Sequence, residues 1–105
     1  MIGLGKWECK VDTMFYKGTI TIEISDNNGE YAFVFGAEGT PIPEINVIEV
    51  HEENGNTLVG TGTTPVLPGK ELVATMTFTD EDHFDGSLKV PFLGKIKVKN
   101  GCRVG

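Results

Sequence analysis

The sequence predicts an all-β, antiparallel, up-and-down barrel of eight strands. Three observations carry that expectation. No stretch of ten or more residues holds a helical period, and apolar and polar residues instead alternate in short runs broken by Gly, Pro, Asn and Asp. About eight such runs follow one another through short connections, so sequence neighbours should pair as sheet neighbours. No helix is available to cover the two edges of such a sheet, and closing the sheet on itself removes them. The 14 glycines recur between β-branched runs, as turn residues do, rather than in a flexible tract. Residues 1–105 are read as one domain, long enough for a single core without staples.

The first strand is expected from about Lys6 to Thr13, with Trp7, Cys9 and Val11 on one face and Lys6, Glu8, Lys10 and Asp12 on the other. Met14 to Lys17 reads as a bend. The second strand, Gly18 to Ser25, turns Ile20, Ile22 and Ile24 inward. Asp26-Asn27-Asn28-Gly29 then supplies residues that tolerate positive φ, the strongest hairpin signal in the chain. The third strand, Glu30 to Ala37, carries Tyr31, Phe33 and Phe35 on one face. Thr40-Pro41-Ile42-Pro43 forbids a regular ladder and is read as a loop.

The fourth strand, about Ile45 to Glu52, alternates less cleanly and ends at an Asn54-Gly55 turn. The fifth, Thr57 to Thr63, is short and Gly-rich, which suits a bulge or a gap for a ligand. A Pro-bounded loop from Thr64 to Gly69 leads to the sixth, Lys70 to Thr79, with Leu72, Ala74, Met76 and Phe78 facing in. The seventh covers about His83 to Val90. Pro91 to Gly94 links it to the eighth, Lys95 to Val104, where Asn100-Gly101 should insert a bulge that re-aims Arg103.

Charge and cysteine usage narrow the function. The formal net charge is −6, and no stripe of Lys or Arg with interleaved aromatics stands out along the sequence. Nucleic acid and anionic membranes are therefore disfavoured partners. Met1-Ile2-Gly3-Leu4 shows no basic leader with a long apolar run, so the expected compartment is the cytoplasm. Cys9 and Cys102 lie near opposite ends. Closure would bring them close enough for a disulfide, while a reducing cytoplasm favours two buried free thiols. Two cysteines alone make no tetrahedral metal site.

Gly5-x-Trp7 on the first strand, with the lone Arg103 on the last, resembles the pattern of calycin and lipocalin barrels. So do the later Gly-rich stretches, Phe84-Asp85-Gly86-Ser87 and Gly94 through Arg103, which look like those of small calycin-like bacterial proteins. In that family the Trp closes the barrel floor and the Arg packs across it. The resemblance implies the same structural role for Trp7 and Arg103, with the first and last strands adjacent. It implies an interior able to hold a small molecule. The chain is shorter than a typical lipocalin and lacks that family's flanking helix.

The candidate ligand-binding residues are the inward aromatics Tyr31, Phe33 and Phe35 with Met76 and Phe78, which either line an apolar pocket or fill the barrel. The leading expectation is non-enzymatic binding of a small apolar molecule, Tyr31 offering a hydroxyl to orient it. The alternative is a solid barrel acting as a homo-oligomer, a homodimer for instance, through outward Val73 and the loop Val66-Leu67. A small-barrel isomerase ranks last, because it needs an inward carboxylate and the pattern places none. No catalytic set is legible. Ser25 and Ser87 sit in no nucleophile elbow, and Cys9 faces the core. No cofactor or metal is implied. The acidic residues around His51 and His83, and the turn from Asp26 to Glu30, match no metal-binding loop and read as solvated surface.

Overall fold

The computed structural model describes residues 1–12, 17–39, 44–65, 67–91 and 94–105. It contains eight strands: β1 (Gly5–Asp12), β2 (Lys17–Asn27), β3 (Glu30–Gly39), β4 (Asn46–Glu53), β5 (Thr57–Thr63), β6 (Leu72–Phe78), β7 (His83–Val90) and β8 (Gly94–Arg103). All pairings are antiparallel, and the sheet order is β3-β2-β1-β8-β7-β6-β5-β4. The chain is thus an up-and-down meander whose first and last strands are hydrogen-bonded neighbours. Among the described residues, no helix is long and apolar enough to cross a membrane. The expected Thr40-to-Pro43 loop, Val66 and Phe92-Leu93 lie outside the described residues, as does the Met14 bend up to residue 16.

The turns follow their residues. Asn28 (φ 55°) and Gly29 (φ 91°) form a two-residue connection between β2 and β3, the left-handed pair that matches strand twist. Asn54 and Gly55 repeat the left-handed geometry between β4 and β5. Register places Trp7, Ile22 and Phe35 side by side, then Cys9, Ile20 and Ala37, so the alternation seen in the sequence becomes one continuous inner face.

The ring closes at β1–β8 and opens between β3 and β4, which share no ladder. The β4 side is irregular. Its register on β5 shifts between Val47 and Glu49, and a Cβ at Gly62 would stand 2.9 Å from Asn46 O. Gly62 therefore lets β4 lie close over β5. Three exposed apolar side chains sit on these two edge strands: Val34 (63% exposed), Val47 (41%) and Ile48 (59%).

One inserted residue sets the floor. Along β8 the pairing runs Cys102 opposite Glu8 and Lys99 opposite Lys10, so three steps on β8 match two on β1. The same surplus appears against β7, where Phe84 pairs with Gly101 and Gly86 with Val98. Asn100, at φ 55°, lies within this bulge. The extra residue inverts the in-out parity of everything after it. Without it Cys102 would face in; with it Arg103 does, directly across from Trp7.

Candidate functional site

At the closed end, Trp7 is 1% exposed and forms a cluster with Cys9, Ile24, Leu58, Met76 and Phe84. Phe78 packs on the Trp7 ring at 5.0 Å between centroids, and Phe84 meets it edge-on at 5.6 Å. The Arg103 guanidinium lies over the indole, its Cζ 4.3 Å from the ring centroid. Its Nη1 donates to Leu4 O at 2.8 Å and its Nε to Glu81 O at 2.9 Å. One side chain therefore ties the segment before β1 to the turn between β6 and β7.

The glycine of Gly5-x-Trp7 has a physical reason here. Its φ is 128°, and a Cβ would run into the guanidinium at Arg103 Nη1. The preceding residues cross beneath the floor. Trp7 Nε1 donates to Gly3 O at 2.8 Å, and Gly3 lies flat on the Phe78 ring. Ile2 N donates to the Tyr31 hydroxyl at 2.8 Å, and that hydroxyl donates to Ile2 O at 3.2 Å. An open cleft of about 420 Å³ lies against this floor, lined by Trp7, Phe78 and Arg103 together with Ile2, Asp80 and Glu81.

The sequence-predicted site residues therefore divide. Tyr31, Phe33 and Phe35 form a ladder on β3, stacked at 6.1 and 6.0 Å. Met76 is buried in the floor cluster, and Phe78 packs against Trp7. Tyr31 does not offer a free hydroxyl, since Ile2 engages it. Burial pushes the Tyr31 pKa up, and the nearby Glu52 carboxylate adds to that. Trp7 and Arg103 face each other across the β1–β8 ladder, with the guanidinium over the indole.

Above the floor, the wall changes character. Toward the other end, the inner-face positions Val11, Ala37, Gly60, Leu88 and Ile96 are half-buried, while Gly62, Leu72 and Val90 are buried. Ala74, opposite Gly60 and Leu88, is exposed, yet Leu72 and Met76 on the same face of the same strand are buried. Ala74 is thus the uncovered position on the inner face of β6. Every one of these lining residues is apolar. The inner-face acidic residues, Asp26 and Glu52, lie exposed at strand ends by the floor, and Asp26 is held as a turn cap by Gly29 N at 2.7 Å. At the far end of β5, the Thr64 hydroxyl is buried without a hydrogen-bond partner.

This chain matches no family model, no curated protein and no solved structure. Its interior must be read from its own residues.

The outer surface also departs from the sequence expectations. Val73 and Leu67 are half-buried, and Val66 is not among the described residues, so the exposed apolar residues of the wall are those on β3 and β4. Cys9 is buried, with burial first, then Glu8 and Cys102, raising its thiol to about 11. Cys102 pairs with Glu8 on the outer face and is half-buried, so the bulge puts the two thiols on opposite faces, and both are free. Among the described residues, no group of three His, Cys, Asp or Glu could hold a metal ion. His51 lies between Glu53 at 2.8 Å and Glu49 at 3.5 Å, which raises its pKa, Glu53 most. His83 donates to or accepts from Asp80 at 2.9 Å, and Asp80 is lowered by the Asp82 amide first and then by His83.

Proposed function

We propose that this barrel binds a small, neutral, apolar molecule without chemically changing it. The observation that carries the reading is Ala74, exposed on the inner face between buried Leu72 and Met76. A molecule filling that space would rest on Met76 below and on the Phe33 and Phe35 rings of β3 at the side. Phe78 and Tyr31 would act beneath it as the floor. No charged group lines the space, so a charged ligand would lose its hydration without compensation, and a neutral one would not. Burial of apolar area drives such binding at about 25 cal/mol per Å², with a negative heat-capacity change. A single polar end would find the unpartnered Thr64 hydroxyl at the mouth. The likeness of Gly5-x-Trp7 and Arg103 to the calycin floor supports the same reading, because that floor leaves the other half of the barrel for a guest.

The test is titration with a neutral fluorophore, N-phenyl-1-naphthylamine, into the native protein and into Ala74→Phe. The native protein should give a saturable signal. The variant fills the space with a ring that needs no new partner, so it should stay folded and lose the signal. No saturable binding by the native protein, or equal binding by the folded variant, would sink the proposal.

A further inference from the structure

The fold gathers charge that the sequence scatters. Lys10 on β1, Lys89 on β7, and Lys95, Lys97 and Lys99 on β8 are all exposed on the outer face of three adjacent strands. Lys10 faces Lys99 directly across the ladder, and Lys89 faces Lys95. Like charges placed opposite one another destabilise a sheet. None of the five makes an ion pair among the described residues, although Lys6 pairs with Glu23 and Lys17 with Asp12. Residues 86–100 hold four lysines and no carboxylate, and the carboxylates at the margin of this face are Asp85 on β7 and Glu8 and Asp12 on β1.

The opposite side is its reverse. Residues 30–53, which contain β3 and β4, carry six Glu and no Lys or Arg. In the sheet order, β8 and β7 are the two central strands and β3 and β4 the two edges. Because the sheet curls nearly into a ring, the lysine face lies across the barrel from the acidic, unpaired edge. On β4, Glu49, His51 and Glu53 share the outer face, and His51 bridges the two carboxylates. Alternate residues of an extended strand repeat at about 6.8 Å, so Glu49 and Glu53, two repeats apart, match the separation of Lys95 and Lys99. The same edge exposes Val34 on the outer face of β3 and Ile48 at the β4 bulge.

We propose that the lysine face of β1, β8 and β7 docks onto the β3–β4 edge of a second copy of this chain. A two-fold dimer through either surface would set lysine on lysine or glutamate on glutamate. The contact is therefore head-to-tail, and it leaves one free face at each end of the assembly. It covers an exposed apolar edge and neutralises two like-charge pairs at once. Nucleic acid would engage only the lysines and would leave that edge uncovered.

Sedimentation velocity over a concentration series tests this, at about 0.01 M and about 1 M salt, where the Debye length is about 30 Å and about 3 Å. At low salt the weight-average mass should rise with concentration, past twofold and without a plateau; at high salt it should return to the monomer. Two charge-reversal variants locate the contact: Lys97→Glu with Lys99→Glu, and Glu49→Lys with Glu53→Lys. Each should be monomeric alone at low salt, and mixing the two should restore association. Trp7 fluorescence checks that each is folded, and the salt series on the native protein stands if either is not. A monomer at low salt, a mass that stops at the dimer, or a mixture that stays monomeric overturns the proposal. So does binding of heparin or duplex DNA by a protein that never self-associates.

Discussion

Replacing Arg103 by Met tests the floor most directly. Met keeps methylene contact with the indole and removes the guanidinium. Three interactions go with it: the stack over Trp7 at 4.3 Å, the bond to Leu4 O at 2.8 Å and the bond to Glu81 O at 2.9 Å. The side chain is 32% exposed, so each is discounted toward about 1 kcal/mol rather than the larger values of fully buried charged bonds. The Asp82 ion pair, 3.6 Å away on an exposed partner, contributes little. The sum is about 3 kcal/mol, against the roughly 5–15 kcal/mol that holds a domain of this size together. The melting temperature should fall by roughly 12–20 °C. Trp7 is the lone tryptophan, so urea unfolding followed by its fluorescence reports on the site itself. Arg103→Lys keeps the charge but cannot present the fork to two carbonyls, and should fall between Met and the native protein. If Arg103→Met unfolds within about 0.5 kcal/mol of the native protein, the floor does not depend on this residue and the argument fails.

Two further outcomes follow from single atoms. Thr64→Val removes a buried hydroxyl that has no partner while keeping the shape, so the unliganded protein should gain about 1 kcal/mol in urea unfolding; a loss would mean that the hydroxyl is bonded. The Cys9 thiol stands at about 11 against 9.0 in the unfolded chain, so folding favours its protonated form. That contribution is complete below 9.0 and is lost as pH climbs toward 11, because only the unfolded chain then sheds the proton. The size is about 3 kcal/mol. Tyr31, also raised, acts in the same direction, so the control is Cys9→Ala, whose stability should fall less over the same range. Equal pH slopes for the two proteins would contradict the burial of this thiol.

Much of the fold was legible because strand alternation and turn chemistry agree at nearly every element. The β5 and β7 bounds stand where the residues place them, and the Asn28-Gly29 hairpin needs only its own dihedral preferences. What was not legible depends on distant partners. The opening between β3 and β4, the bulge in β4 and its close approach to Gly62 have no local signature. The Tyr31 hydroxyl reads as free until Ile2, 29 residues away, is seen to occupy it. The lysine face escapes a linear reading because its members come from β1, β7 and β8, and only register brings Lys10 to Lys99. In the site, the aromatic ladder was visible as alternation. That Met76 and Phe78 belong to the floor was not, since strand position alone does not say how far along the barrel axis a residue sits.

The bulge in β8 links these features. It is one residue, placed where Asn100 takes a left-handed conformation at little cost. Before it, β8 turns Ile96 and Val98 inward and its lysines outward; after it, a strand of unbroken parity would bury Cys102 and expel Arg103. The surplus residue lets one strand do two things. Its first half presents a row of cations outside and an aliphatic wall inside, and its second half turns a cation inward over Trp7. A guanidinium in that position seals its end of the barrel, because it is already bonded to Leu4 and Glu81 and has the indole beneath it. In the proposed binding mode a guest would occupy the other half, where the wall is aliphatic and Ala74 stands uncovered. The placement of Arg103 over Trp7 is thus a consequence of backbone parity in the last strand.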